Sequence, residues 1–327
     1  MGYSKVAISK NLESSRDTKA LSKLNKAIQQ HIIGQKNLIE SLLIGVLCDG
    51  HVLLESMPGL AKTTAAKALA QGIDGKFHRI QFTPDLLPSD VIGTDVFNQA
   101  TQEFSFKKGP VFQNIVLADE INRAPAKVQS ALLEAMEEKQ VTVGQASYAL
   151  PELFMVVATQ NPIEQEGTYN LPEAQLDRFL LHVVLDYPNH AEELDIINLD
   201  QTPVAVEKTS QAEVLEARKI IKNIYVDDKL KNYIISVVQA TRNPGLYSEE
   251  LATWISHGAS PRASKAALHC AQAYAWLYGE EYVLPEHIQA MWHNILRHRI
   301  ALSFEAQADG ITKDNVIDAL LRVVAIP

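Results

Sequence analysis

Three pairs of residues in this chain have types and positions suited to chemistry: Lys62-Thr63 opening a helix, Asp119-Glu120 closing an apolar run, and Gln160-Asn161 closing another. A lysine and a hydroxyl that begin a helix directly after a strand and a turn suit a bound polyphosphate. The N–H groups of the turn and the positive end of the helix dipole face the anion, the amine reaches its oxygens, and the Thr63 hydroxyl completes a magnesium shell. The strand is His51-Val52-Leu53-Leu54-Glu55-Ser56 and the turn is Met57-Pro58-Gly59-Leu60-Ala61. Against the phosphate-loop pattern G-x-x-x-x-G-K-[ST], Ser56 and Ala61 stand where the two glycines belong, and only Gly59 and the Lys-Thr pair fit. An alanine held left-handed at position 61 costs about 1–2 kcal/mol. Taken alone, a plain strand-turn-helix accounts for the segment equally well.

The acidic pair narrows the choice. Asn114-Ile115-Val116-Leu117-Ala118 is a buried-type strand running into Asp119-Glu120. In that setting Asp119 suits the water shell of a magnesium ion, and Glu120 suits the polarisation of an attacking water. An Asp-Glu pair by itself reads as a solvated loop start; following a phosphate-type loop in this order, it reads as the acidic half of one site. A further strand, Leu153-Phe154-Met155-Val156-Val157-Ala158-Thr159, ends in Gln160-Asn161-Pro162. Parallel sheets bind ligands at this edge, so either Asn161 or Gln160 suits a hydrogen bond to a terminal phosphate or to the water; a turn-initiating Asn-Pro is the plain alternative.

Leu117-Ala118-Asp119-Glu120-Ile121-Asn122-Arg123-Ala124-Pro125-Ala126-Lys127-Val128-Gln129, followed by Leu132-Leu133-Glu134-Ala135-Met136-Glu137-Glu138, resembles the signature of the MoxR branch of the AAA+ ATPases. Pro58-Gly59-Leu60-Ala61-Lys62-Thr63, Ala158-Thr159-Gln160-Asn161-Pro162 and Leu171-Pro172-Glu173-Ala174-Gln175-Leu176-Asp177-Arg178-Phe179 carry the same likeness, in family order. It extends from about Leu24 to the C-terminus. Alanine is frequent in this branch at the position of Ala61, while Ser56 departs from it.

The resemblance implies ATP and Mg2+ as cofactors, with Met57, Pro58, Gly59, Leu60, Ala61, Lys62, Thr63 and Thr64 around the phosphates and Thr63 and Asp119 at the metal. It also implies that Ile32-Ile33-Gly34-Gln35 packs on the adenine ring, that Glu120 and Asn161 act in the chemical step, and that Arg178 is an arginine finger reaching a neighbouring subunit. Arg262, after Ser260-Pro261, resembles the start of the sensor 2 helix facing the phosphates. Without the family, Arg178 is a surface ion pair and Arg262 an ordinary helix start. The implied fold is an α/β P-loop core with a parallel five-stranded sheet, followed by an all-α helical lid domain. The implied assembly is a hexameric ring acting on client proteins, with a von Willebrand factor A-type domain protein as one partner class. The implied work is chaperone-like remodelling, maturation or cofactor insertion. A metal-insertion motor like the magnesium chelatase subunit, and a nucleotide-binding scaffold with little hydrolysis, are the alternatives.

Composition sets bounds. The chain has 327 residues, 46% of them hydrophobic, enough for two domains with cores of their own. A formal charge of −9 opposes a nucleic-acid partner held through phosphates, and with it a DNA-remodelling motor. Cys48 and Cys270, far apart, read as reduced core thiols of a cytoplasmic protein. No membrane insertion is expected, since no run reaches transmembrane length.

The elements that must position these residues alternate between strand and helix up to about Asn189, then become helical. Leu21, Leu24 and Ile28, and then Leu38, Leu42 and Val46, have helical spacing ahead of the His51 strand. Further strands are expected at Phe77–Phe82 and Leu180–Leu185. Val96–Phe97 with Phe104–Phe106, and Val141–Val143 with Tyr148–Leu150, form hairpins. Their aromatics either face a partner or pack on the core. Helices are expected over Asp228–Thr241, Arg262–Leu277, Pro285–His298 and Asp314–Val324. The organisation is then a flexible N-terminus over 1–17, a nucleotide-binding core over 18–198, a linker over 199–209 and a helical domain over 210–327.

Overall fold

Residues 24–29, 32–57, 59–100, 102–162, 167–198 and 208–327 are described by the computed structural model. The expected flexible segment 1–17 and most of the expected linker, 199–207, lie outside them. The chain divides into two compact units, one of Lys23–Phe179 with Val183–Leu215, the other containing Leu180–His182 and Glu216–Pro327.

Each of the five expected strands forms, in one parallel sheet. These are β1 (Val52–Ser56), β2 (Phe77–Gln81), β5 (Ile115–Asp119), β8 (Met155–Gln160) and β9 (Leu181–Leu185), in the order β2-β5-β8-β1-β9. The β5 residues are buried throughout and those of β8 up to Thr159, as expected of strands covered on both faces. β2, at the edge, buries only Ile80, so Arg79 and Gln81 fall together on the other face of its pleat.

Helices close over this sheet for readable reasons. α2 (Lys36–Leu47) is apolar nearly all round and buries nine of its twelve residues. α3 (Lys62–Gly72) is alanine-rich, which lets it lie close, and a Cβ on its last residue, Gly72, would come within 2.2 Å of Leu24 in α1, the helix at 24–29. After the short α4 (Pro88–Ile92), α5 (Ala126–Glu138) turns Val128, Leu132, Ala135 and Met136 inward at helical spacing onto Val116, Phe154 and Val156.

Side chains also tie the strands to this layer. His51 Nδ1 accepts the Val156 N–H at 2.9 Å, which fixes the ring proton on Nε2, 3.3 Å from the Met136 carbonyl of α5. Asn114 accepts the Lys76 N–H at 2.9 Å and donates to the Leu153 carbonyl at 2.9 Å, joining the starts of β2, β5 and β8.

Both hairpins form. β3 (Gly93–Asn98) pairs with β4 (Glu103–Lys108), and β6 (Gln140–Val143) with β7 (Ala146–Ala149). Their aromatics differ in exposure, and none of Phe97, Phe104, Phe106 and Tyr148 is buried in the core. Phe97 and Phe104 lie opposite each other, rings 5.2 Å apart and largely exposed, whereas Phe106 stacks on Tyr148 at 4.0 Å and joins one hairpin to the other.

Among its described residues the second unit is helical, apart from one short antiparallel strand pair, Ile255–His257 with Ala301–Leu302. The stripe Ala266, Cys270, Ala273 and Leu277 of Pro261–Leu277 is core, as its spacing indicates. Cys48, the other thiol, closes α2 and is half-buried rather than core. The continuous helix expected over Pro285–His298 is instead two, Pro285–Gln289 and Trp292–Leu296. At the break the Met291 N–H bonds to the Ile288 carbonyl, three residues back, tightening the ladder as Met291 and Trp292 are buried. Among the described residues, no helix is long and apolar enough to cross a membrane.

Because the His51 ring satisfies a buried strand N–H, His51→Leu should lower unfolding stability by about 1–3 kcal/mol. A fall in the urea midpoint at unchanged m-value checks this.

Candidate functional site

The loop after β1 takes its shape from two unusual backbones. Gly59 has φ 89°, with nothing within 4 Å of where a Cβ would stand, and Ala61, at φ 53° and ψ 18°, is left-handed. Ala61 therefore adopts the conformation whose cost the sequence flagged, about 1–2 kcal/mol. It offers no side-chain cap, and the α3 ladder starts only with the Ala65 N–H bonded to the Ala61 carbonyl, so the N–H groups of Lys62, Thr63 and Thr64 are left to an external acceptor. Ser56 is buried, and its hydroxyl donates to the Met57 carbonyl at 3.1 Å. Pro58 lies outside the described residues. The Lys62 amine reaches the same Met57 carbonyl only at 3.5 Å. Burial pushes its pKa down; the charges of Asp119 and Glu120 oppose that shift and Arg79 adds to it. Loop lysine and acidic pair thus lie in one electrostatic site.

That pair is held by a lattice of hydrogen bonds. The Thr159 hydroxyl, fully buried on β8, donates to Asp119 Oδ1 at 2.6 Å and accepts the Glu120 N–H at 2.9 Å. The other Asp119 oxygen, Oδ2, accepts Arg79 Nε at 3.0 Å and Nη2 at 2.5 Å. Glu120 is itself left-handed, at φ 57°. Its carboxylate accepts Gln81 Nε2 at 2.9 Å and Arg123 Nη1 at 3.0 Å, while Arg79 Nη2 donates to Gln81 Oε1 at 2.9 Å. Behind the turn, buried Gln129 of α5 donates to the carbonyls of Ile121, Ala124 and Tyr169, at 3.1–3.2 Å.

The remaining candidates are placed variously. β8 runs between β5 and β1, with Leu54 opposite Thr159 and Glu55 opposite Gln160, so Asn161 follows the strand at the edge shared by the loop and the acids. Ile32 is buried and Ile33 half-buried beside Gly34, and Gln35 donates to the Asp186 carbonyl at 3.1 Å. Arg178 is not joined to the acidic lattice: its guanidinium pairs with Glu137 and donates to the Leu133 carbonyl at 3.1 Å, both on α5. Arg262, in the second unit, is exposed in the first turn of Pro261–Leu277, its N–H capped by Ser260 Oγ at 3.1 Å.

Sequence reasoning missed Arg79, Gln81, Arg123, Gln129 and the part played by Thr159. A signal existed for two of them: Arg79 and Gln81 alternate with Ile80 on a strand, and so share a face.

Sheet order, phosphate-type loop and acidic pair together define an AAA-type ATPase core. The family model for the ATPase family associated with various cellular activities (AAA) matches residues 51–181, and that for the AAA lid domain matches 250–320. The chain is 46% identical to Chaperone MoxR1 of Mycobacterium tuberculosis, over 92% of this chain and 80% of that protein. It is 31% identical to Protein MoxR of Paracoccus denitrificans, over 92% and 94% of the two chains. A crystal structure from Cytophaga hutchinsonii, assigned as an ATPase, superimposes with a TM-score of 0.91 at 47% identity, covering 98% of this chain and 99% of that one. The chain belongs to the MoxR family of AAA ATPases.

Thr159→Val keeps the side-chain shape but strips both bonds from the buried hydroxyl, so it should cost about 1–3 kcal/mol of stability. Thr159→Ser, which keeps donor and acceptor, should recover most of that loss in parallel denaturation curves.

Proposed function

We propose that this chain binds ATP with Mg2+ at the end of β1, hydrolyses it, and couples turnover to chaperone-like remodelling, maturation or cofactor insertion of partner proteins. The observation that carries the reading is the half-buried Lys62 amine in the common field of Asp119 and Glu120 at an uncapped helix start. The residues fit the ligand. Three outward N–H groups and an amine suit phosphate oxygens, the open side of Gly59 leaves room for them, and the Thr63 hydroxyl and Asp119 are hard oxygen donors of the kind magnesium prefers. When bound, magnesium would neutralise phosphate charge.

The protein groups then divide the work. Glu120 polarises the attacking water, Asn161 orients water or phosphate, Ile32 and Ile33 wall the base, and Met57 to Thr64 wrap the phosphates. Arg178 acts on the site of a neighbouring subunit in a hexameric ring, and Arg262 is the candidate contribution of the helical unit. The name of the Mycobacterium tuberculosis relative supports a chaperone role. The client is a protein rather than a nucleic acid, in keeping with the formal charge of −9.

Glu120→Gln tests the reading, because it removes the base and leaves Asp119 and Lys62 in place. ATP affinity by calorimetry should stay within about threefold of wild type while turnover falls by about 10²-fold or more. A second reading, a nucleotide-binding scaffold with little hydrolysis, is favoured by the hold of Gln81 and Arg123 on the Glu120 carboxylate. Wild-type turnover no faster than Glu120→Gln under assembling conditions would select it.

Action in trans has its own test. Arg178→Ala and Lys62→Ala should each be nearly inactive, the former by on the order of 10³-fold. Mixing the two should restore part of the activity, since some interfaces then pair an intact loop with an intact arginine. Mixed oligomers, verified by light scattering, that recover nothing would remove Arg178 from the mechanism.

A further inference from the structure

We propose that Arg79 is the resident counter-ion of Asp119 and competes with the divalent cation for that carboxylate, so that it sets how much magnesium the site demands. This rests on the Mg2+-ATP reading above and concerns the same site. Asp119 is only 7% exposed, and a carboxylate buried to that degree needs compensation in the absence of metal. Thr159 occupies Oδ1, while Arg79 places both Nε and Nη2 on Oδ2. The contact uses one oxygen only, not the two-oxygen fork that makes arginine–carboxylate pairs strong and persistent.

Arg79 is built to let go. Its side chain is 48% exposed on an edge strand, so the guanidinium can return to water at little cost, and Gln81 Oε1 already holds Nη2 at 2.9 Å. Asp119 keeps its Thr159 bond when Arg79 leaves, so the carboxylate retains its orientation. The charges around it favour the exchange. Lys62 lies in the field of both Asp119 and Arg79, so a further cation at Asp119 adds repulsion that departure of the half-exposed Arg79 relieves. The ion pair is then neither a structural tie nor a phosphate ligand; it neutralises the acid until metal arrives.

The three roles differ in sign. Arg79→Met removes the charge and keeps the apolar stem. Fluorescent-ATP-analogue binding by the full chain, followed from excess EDTA through rising magnesium, should show the magnesium midpoint lowered by roughly two- to fivefold, the reach of one half-exposed ion pair. Arg79→Lys, which keeps the charge, should stay near the wild-type midpoint. An unchanged midpoint in Arg79→Met would overturn the competition, and a raised one would show that Arg79 serves metal or phosphate directly. Should Arg79→Met fail to fold, the Nε–H resonance of Arg79 in wild-type protein decides. It should move and gain solvent exchange when magnesium and ADP are added together, and a static signal would overturn the proposal. Wild type that binds the analogue without any magnesium dependence would instead sink the metal-nucleotide reading itself.

Discussion

One buried hydroxyl governs the geometry of this site. Thr159 uses its proton on Asp119 and its lone pair on the Glu120 N–H, so β8 grips both residues at the point where β5 ends. Successive strand residues point to opposite faces, and two adjacent acids would ordinarily diverge. Here the left-handed backbone of Glu120 breaks that alternation and brings its carboxylate toward Gln81 and Arg123. A non-glycine residue in that conformation costs on the order of 1 kcal/mol and persists only where its surroundings over-determine it. The Thr159 bond and the carbonyls gathered by Gln129 supply that constraint.

A second strained residue, Ala61, shapes the loop after β1. Left-handed Ala61 leaves the start of α3 uncapped, and the Lys62 amine folds back over the loop with one long contact. Both features cost stability in the free chain. Lys62 has a depressed pKa in the folded state, so its burial opposes folding while the amine is charged, and that opposition is relieved as pH rises toward its unfolded value of 10.5. Stability is given up at the positions where an anion would restore it.

Much of this was legible in the sequence because burial leaves a strong mark. β1, β5 and β8 are central strands and appear as unbroken apolar runs, and the hairpins announce themselves by polar turns between short apolar pairs. The cost at Ala61 was legible as well, since the loop pattern asks for glycine there. Strand order was not: that β8 lies between β5 and β1, bringing Thr159 to Asp119, comes from long-range pairing that no local pattern encodes. Arg79 and Gln81 stayed hidden because a polar face on an edge strand looks like a solvated one. The helix expected over Pro285–His298 gave no sign of its break, which tertiary burial of Met291 and Trp292 imposes.

α5 connects the two halves of the proposed chemistry. Near its start, Gln129 fixes the turn that follows Glu120; in its last turns, Leu133 and Glu137 hold Arg178, and the chain then runs into β6 and β7. A single element of thirteen residues therefore ties down the turn that follows the acids, holds the arginine proposed for a neighbouring site, and leads into the hairpin that Tyr148 joins to β4 through Phe106. Its inward face packs with Val116 and Ala118 of β5 and Val156 and Ala158 of β8 in one buried cluster. In the proposed ring Arg178 leaves Glu137 to serve a neighbour, so the helix that ties down the turn after Glu120 also sets how readily that arginine is released.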